Sequence, residues 1–281
     1  MARITAGVMT SHVPLGGVAV DKGMTQEPYF KALFDGFEAS KKWIKAQNPD
    51  VIIMVYNDHA NAFSLELIPT FAIGCGKEFE IADEGWGPRA IPKVPGHPRL
   101  AWHIAQSSIL SEFDMTIVNK MEVDHGFTVP LSLMYGAVDA WPCPVIPLAV
   151  NVIQYPPPTG QRCYDLGKAI KNAVEAFDED LNVVIFGTGG MSHQLQGPRT
   201  GLINQDFDHN FLDEFGPNPA ALIDIEHETY LREAGSEGIE LVMWLIARGA
   251  LNADVTEIHR HYHVPISNTA FGHLILENKT S

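Results

Sequence analysis

VIIMVYNDH, residues 51–59, decides how the rest of the chain is read. Five apolar residues, Val51 to Val55, run without interruption into Tyr56 and then into Asn57, Asp58 and His59. A β-branched run that short reads as a strand buried on both faces. Open α/β sheets bind their ligands at the carboxyl ends of such strands, which places His59 at the mouth of a cleft. Ser11-His12, Asp124-His125-Gly126 and Met191-Ser192-His193 repeat the pattern, each a histidine shortly after an apolar run.

Outward from this stretch, strand-like and helix-like segments alternate. Pro28 opens an apolar stripe at helical spacing through Phe30, Leu33, Phe34, Phe37 and Ile44, stopped by Asn48-Pro49-Asp50. Ile68 to Ile73, Met115 to Val118, Pro144 to Val152 and Val183 to Phe186 read as further strands, and Leu100 to Leu110 and Leu166 to Phe177 as helices. Gly74 to Pro98 is too long for an ordinary connection and is expected to form a wall or lid of a site. Phe207 to Ala234 reads as short surface helices, and Ser236 to Ala247 as a capped helix that turns apolar around Glu240. The expectation is an α/β fold, one domain over residues 1–281, with a mostly parallel or mixed central sheet flanked by helices.

The formal charge of -15 disfavours nucleic acid and anionic membranes as partners. No signal-peptide pattern follows Met1 and no apolar run approaches 18 residues, so a cytoplasmic, soluble protein is expected. Cys75, Cys143 and Cys163 have no zinc-type spacing and read as buried apolar side chains.

Two neutral imidazoles and one carboxylate around a metal leave positions open for exogenous ligands, and His12, His59 and Glu240 are the candidates for such a set. An ionised Glu240 among apolar residues needs a cation, although an arginine or a backbone amide is the structural alternative. The residue types alone leave iron, zinc and manganese open. Asp58 reads either as an orienter of His59 or as a turn cap. Trp86 and Tyr155 read as core or cleft residues, and His259, His261 and His263 as a surface helix or loop.

The segments MARITAGVMTSHVP, VYNDHANAF, ADEGWGPR, VDHGFTVPLS, GTGGMSHQLQGPR, GSEGIELVMWL and PISNTAFG resemble the class III extradiol ring-cleaving dioxygenases, specifically the β chains of protocatechuate 4,5-dioxygenase. The resemblance runs from residue 1 to about residue 277. It implies Fe(II) held by His12, His59 and Glu240, with His193 as the acid-base residue and His125 as a second active-site histidine. Ser267, with Asn268 and Thr269, matches the position that contacts the substrate carboxylate. The implied reaction is cleavage of protocatechuate by O2 between C4 and C5, giving 4-carboxy-2-hydroxymuconate semialdehyde in aromatic catabolism. Gallate or 3-O-methylgallate is the alternative substrate. A non-enzymatic binding protein with the same metal site and a zinc hydrolase are the competing functions. Relatives that cleave gallate carry an additional carboxyl-terminal domain; the sequence here leaves no room for it, so a small α chain is expected to complete an α/β heterotetramer.

Overall fold

The computed structural model describes residues 1–279 and forms one α/β unit around an eight-stranded mixed sheet. In chain order the strands are β1 (Arg3–Thr10), β2 (Val51–Tyr56), β3 (Phe71–Gly74), β4 (Glu78–Ile81), β5 (Val94–Pro95), β6 (Met115–Val118), β7 (Glu122–Val123), β8 (Val145–Val150), β9 (Asn182–Thr188), β10 (Val255–Ile266) and β11 (Thr269–Asn278). The large sheet has the order β10-β11-β1-β9-β2-β8-β3-β6, and β5-β4-β7 form a small second sheet.

The VIIMVY run is buried along its whole length. Its side chains alternate between two cores. Val51, Ile53 and Val55 join one cluster with Ile185 and Trp244, while Ile52, Met54 and Tyr56 join the other with Phe186 and Phe127. Period-two alternation into apolar layers on both faces is why a strand here carries no polar residue until it ends. Helices 98–110, 160–175 and 241–249 cover one face; helices 14–21, 28–35, 38–47 and 125–135 cover the other.

β1, β9, β2 and β8 are mutually parallel neighbours. Their carboxyl ends therefore share one edge, and Thr10 lies beside Thr188 in register. β11 runs antiparallel to β1, which brings the start of β11 to the same edge.

Several expectations are corrected. The stripe beginning at Pro28 is two helices, Pro28–Asp35 and Glu38–Gln47, interrupted at Gly36-Phe37. Segment 207–234 is not merely superficial: Asp208, Phe211, Leu212, Phe215 and Tyr230 are buried in it. His259, His261 and His263 belong to strand β10, not to a helix or loop, with His259 Nε2 against the Gly36 carbonyl at 2.7 Å. All three cysteines are free and buried. Among the described residues no helix is long and apolar enough to cross a membrane.

Candidate metal centre

Thr10, Tyr56 and Thr188 end three adjacent parallel strands, and the chain beyond each turns into one cleft. Its lining includes His12, Asn57, His59, His125, Gly190, His193, Glu237, Glu240, Ser267 and Thr269, in a volume of about 1230 Å³ that includes the open mouth. A second hollow, between Phe63, Leu67, Ile68 and Ile153, adjoins it. Its one ionisable side chain, Asp58, already accepts from the N–H groups of Asn61, Ala62 and Phe63, so the clustered ionisable groups lie in the first cleft. Asp58 is thus the turn cap, and burial raises its carboxyl despite those donors.

Each histidine is aimed by its far nitrogen. His12 Nδ1 lies 3.0 Å from Thr188 Oγ1, whose own proton points to the Gly126 carbonyl. The hydroxyl then accepts from His12 Nδ1–H, and the Nε2 lone pair is free for the cleft. His59 Nδ1 lies 3.0 Å from Oδ2 of Asp124, a fully buried carboxylate that also accepts from the His59 main-chain N–H at 2.6 Å. A carboxylate holding Nδ1–H is the arrangement that fixes a metal-binding imidazole with Nε2 outward.

Glu240 sits where a 3-10 turn, Gly238–Glu240, passes into helix Leu241–Gly249. Its carboxylate is buried, accepting from Gly190 N–H at 2.6 Å and facing His12 Nε2 at 3.5 Å and His193 Nε2 at 3.8 Å. Gly189 and Gly190 allow this approach. Gly189 has φ +139, and a Cβ there would fall 2.7 Å from that of Glu240, while one on Gly190 would fall 2.5 Å from the His193 ring.

His193 is buried beside Thr269, with Nδ1 2.7 Å from the Met191 carbonyl, so Nδ1 carries the proton and Nε2 is the acceptor. His125 stacks on His59 at 3.9 Å between ring centroids, and Glu84 receives both its Nδ1 and its main-chain N–H.

The donor set fits a divalent cation. Candidate ligand atoms of His12, His59 and His125 lie within 4.8 Å of one another, and Glu240 reaches the group through His12. Asn57 Nδ2 donates across the gap, 3.0 Å from His59 Nε2 and 3.4 Å from Glu240 Oε1, while its own Oδ1 is buried without a partner. Burial opposes ionisation of Glu240, yet the imidazoles of His12, His193 and His59 hold it well below the usual carboxylate range. Burial likewise opposes charge on His59, but Asp124 above all, with Glu240 and Glu84, raises it to about 9. The cluster therefore draws in positive charge, which is what a cation supplies.

Of the substrate trio, Ser267 and Thr269 line the cleft and Asn268 does not. Arg199 donates to the Leu231 and Arg232 carbonyls and does not line the cleft. Trp86 and Tyr155 are exposed, at 92% and 70%, and so neither packs in the core. Thr188, Asp124, Glu84 and Asn57 make contacts at the site that local sequence pattern does not assign to them. For Asp124 the signal was its place between a strand and His125; Glu84 offered none.

A family profile described as the catalytic LigB subunit of aromatic ring-opening dioxygenase matches residues 6–272. The chain is 43% identical over 199 residues, 71% of its length, to a gallate dioxygenase of Pseudomonas putida KT2440. It is 30% identical over 213 residues, 75% of its length, to a 2,3-dihydroxyphenylpropionate/2,3-dihydroxicinnamic acid 1,2-dioxygenase of Photorhabdus laumondii. These alignments cover 58% and 62% of the relatives, so the chain spans about three-fifths of their length. An uncharacterized protein of Escherichia coli K12 shares the fold, with a TM-score of 0.58, 13% identity, and coverage of 96% of this chain and 99% of that one.

Proposed function

Because the chain belongs to the family of catalytic LigB subunits of aromatic ring-opening dioxygenases, we propose that it cleaves a catechol-type aromatic acid with O2 in the extradiol manner at Fe(II) held by His12, His59 and Glu240. The observation that carries this reading is the buried Glu240 carboxylate between His12 and His193, with the Nε2 atoms of His12 and His59 turned inward by Thr188 and Asp124. Bound there, the metal would supply Lewis acidity and a template for the substrate.

The chain's own groups do the rest. His193 Nε2 accepts the proton of a ring hydroxyl, and Glu240 at 3.8 Å stabilises the imidazolium so formed. The Met191 carbonyl keeps the ring oriented by holding Nδ1–H. Ser267 and Thr269 hydroxyls orient the substrate carboxylate, since no lysine or arginine lines the cleft among the described residues. His125 faces the ring from the side of His59.

The 43% identity to a gallate dioxygenase favours gallate or its 3-O-methyl ether over protocatechuate as substrate. Oxygen uptake with each acid, with Fe(II) and reductant present, tests the reading; no ring-opened product from any of the three, with iron bound, ends it. Residues 1–281 would then form one catalytic domain. A small helical second chain closing the cleft, in an α/β heterotetramer, belongs to the same proposal. Exposed apolar side chains lining the cleft, Ile153 and Leu195, with Leu65 in the adjoining hollow, support it. The mass of the co-expressed pair in solution decides that part.

A further inference from the structure

Glu84 lies 41 residues before His125, on the long segment between β4 and β5, and is aimed at the cleft by a built arrangement. Asp83 Oδ1 accepts from Gly85 and Gly87 N–H at 2.9 and 2.8 Å, tightening the turn that carries Glu84. Arg89 then fastens the far side of the turn. Its guanidinium donates to both carboxylate oxygens of Asp21, at 2.7 and 2.8 Å, and to the hydroxyls of Thr128 and Ser132, each at 3.0 Å. Thr128 and Ser132 stand on the helix that His125 begins.

Held in this way, one oxygen of Glu84 accepts from the His125 main-chain N–H at 3.0 Å and the other meets His125 Nδ1. That main-chain N–H is in the first helical turn and has no partner within the helix. A carboxylate only accepts, so Nδ1 carries the proton and Nε2 faces the cleft as a lone pair.

We propose that Glu84 is a positioning residue that sets His125 as a hydrogen-bond acceptor toward the hydroxylated ring, and that it couples the 75–97 wall to the site. The role rests on the activity proposed above, but the placement of the proton does not. Glu84→Gln separates the two. A main-chain N–H always donates, so the glutamine oxygen must face it and the glutamine NH2 must face Nδ1, which drives the ring proton to Nε2. The side-chain shape is unchanged.

Nitrogen-15 NMR of the histidine rings, in full-length protein stripped of metal by chelator, reads the tautomer directly. The expected result is Nδ1–H on His125 in the wild type and Nε2–H in Glu84→Gln; a wild type protonated only at Nε2, or no change on substitution, overturns the proposal. Under oxygen uptake with gallate and with protocatechuate, Glu84→Gln is expected to lose tenfold or more in kcat/KM at unchanged iron content. Combined with His125→Ala it should lose no more than His125→Ala alone, because its effect passes through that ring. Additive losses overturn the proposal. A wild type inactive on both acids would bear on the activity alone, and the tautomer would still decide for Glu84.

Discussion

His59 and His12 are aimed by different partners, a buried carboxylate and a hydroxyl, and substitutions should tell them apart. Asp124→Asn is expected to weaken Fe(II) binding by roughly 10- to 100-fold, the usual cost of losing a partner that orients a metal-bound imidazole. Titration of the stripped protein with Fe(II) checks it, and Thr188→Ala should cost less. Glu240 and His125 both stand near His12, so metal content discriminates them: Glu240→Gln should empty the site on dialysis, whereas His125→Ala should keep its iron. A separate residue gives a pH prediction. His273 is fully buried against Phe37, bonded to Ser40 Oγ and to the Met9 carbonyl, and burial lowers it to about 3. The unfolded chain takes up the proton near the ordinary value of roughly 6.5, so this group withdraws stability as pH falls from there toward 3 and has no effect above. His273→Gln should flatten the acid side of the stability curve by up to about 1.4 kcal/mol per pH unit in that window, measured by urea unfolding at pH 6 and pH 4.

At the scale of elements, two turns carry the site. The loop after β9 needs Gly190 because any Cβ there meets the His193 ring and the Thr269 methyl, at 2.5 and 2.9 Å. Gly190→Ala is expected to displace His193 and lower kcat at least tenfold, with the folded state retained by circular dichroism. The β10–β11 turn holds Ser267 at φ 56, a conformation that costs a non-glycine residue about 1–2 kcal/mol. Ser267→Gly should therefore leave unfolding free energy unchanged or slightly raised while KM for the acid substrate rises. A loss of stability there would mean the hydroxyl serves the fold and not the ligand.

For the molecule as a whole, the metal should join the cores and strand ends in one stability unit. Removing it by chelation is expected to lower Tm, and Fe(II) at a hundredfold excess over its Kd should restore about 2.7 kcal/mol, seen by calorimetry with and without Fe(II). Ile53 packs in the cluster on the helix 160–175 face of the central sheet, so Ile53→Ala should cost about 2–5 kcal/mol without touching any group of the cleft.

The amino-acid sequence alone determined the central strand, because five consecutive apolar residues, Val51 to Val55, can only be satisfied between two apolar layers. It also picked out His12, His59, His193 and Glu240, because polar residues that interrupt apolar runs stand out locally. The structure gathers all four around one cleft. What tertiary structure decided is everything that depends on partners far apart in the chain. Asp124 reaches His59 across 65 residues, Thr188 reaches His12 across 176, and Glu84 reaches His125 from a wall whose sequence signals only length. The same limit explains His259, His261 and His263: alternation fits a strand, but only pairing with β11 distinguishes that strand from a loop. Local pattern records how a residue is buried; which atom it meets there is fixed by sheet order and register, and those are properties of the assembled fold.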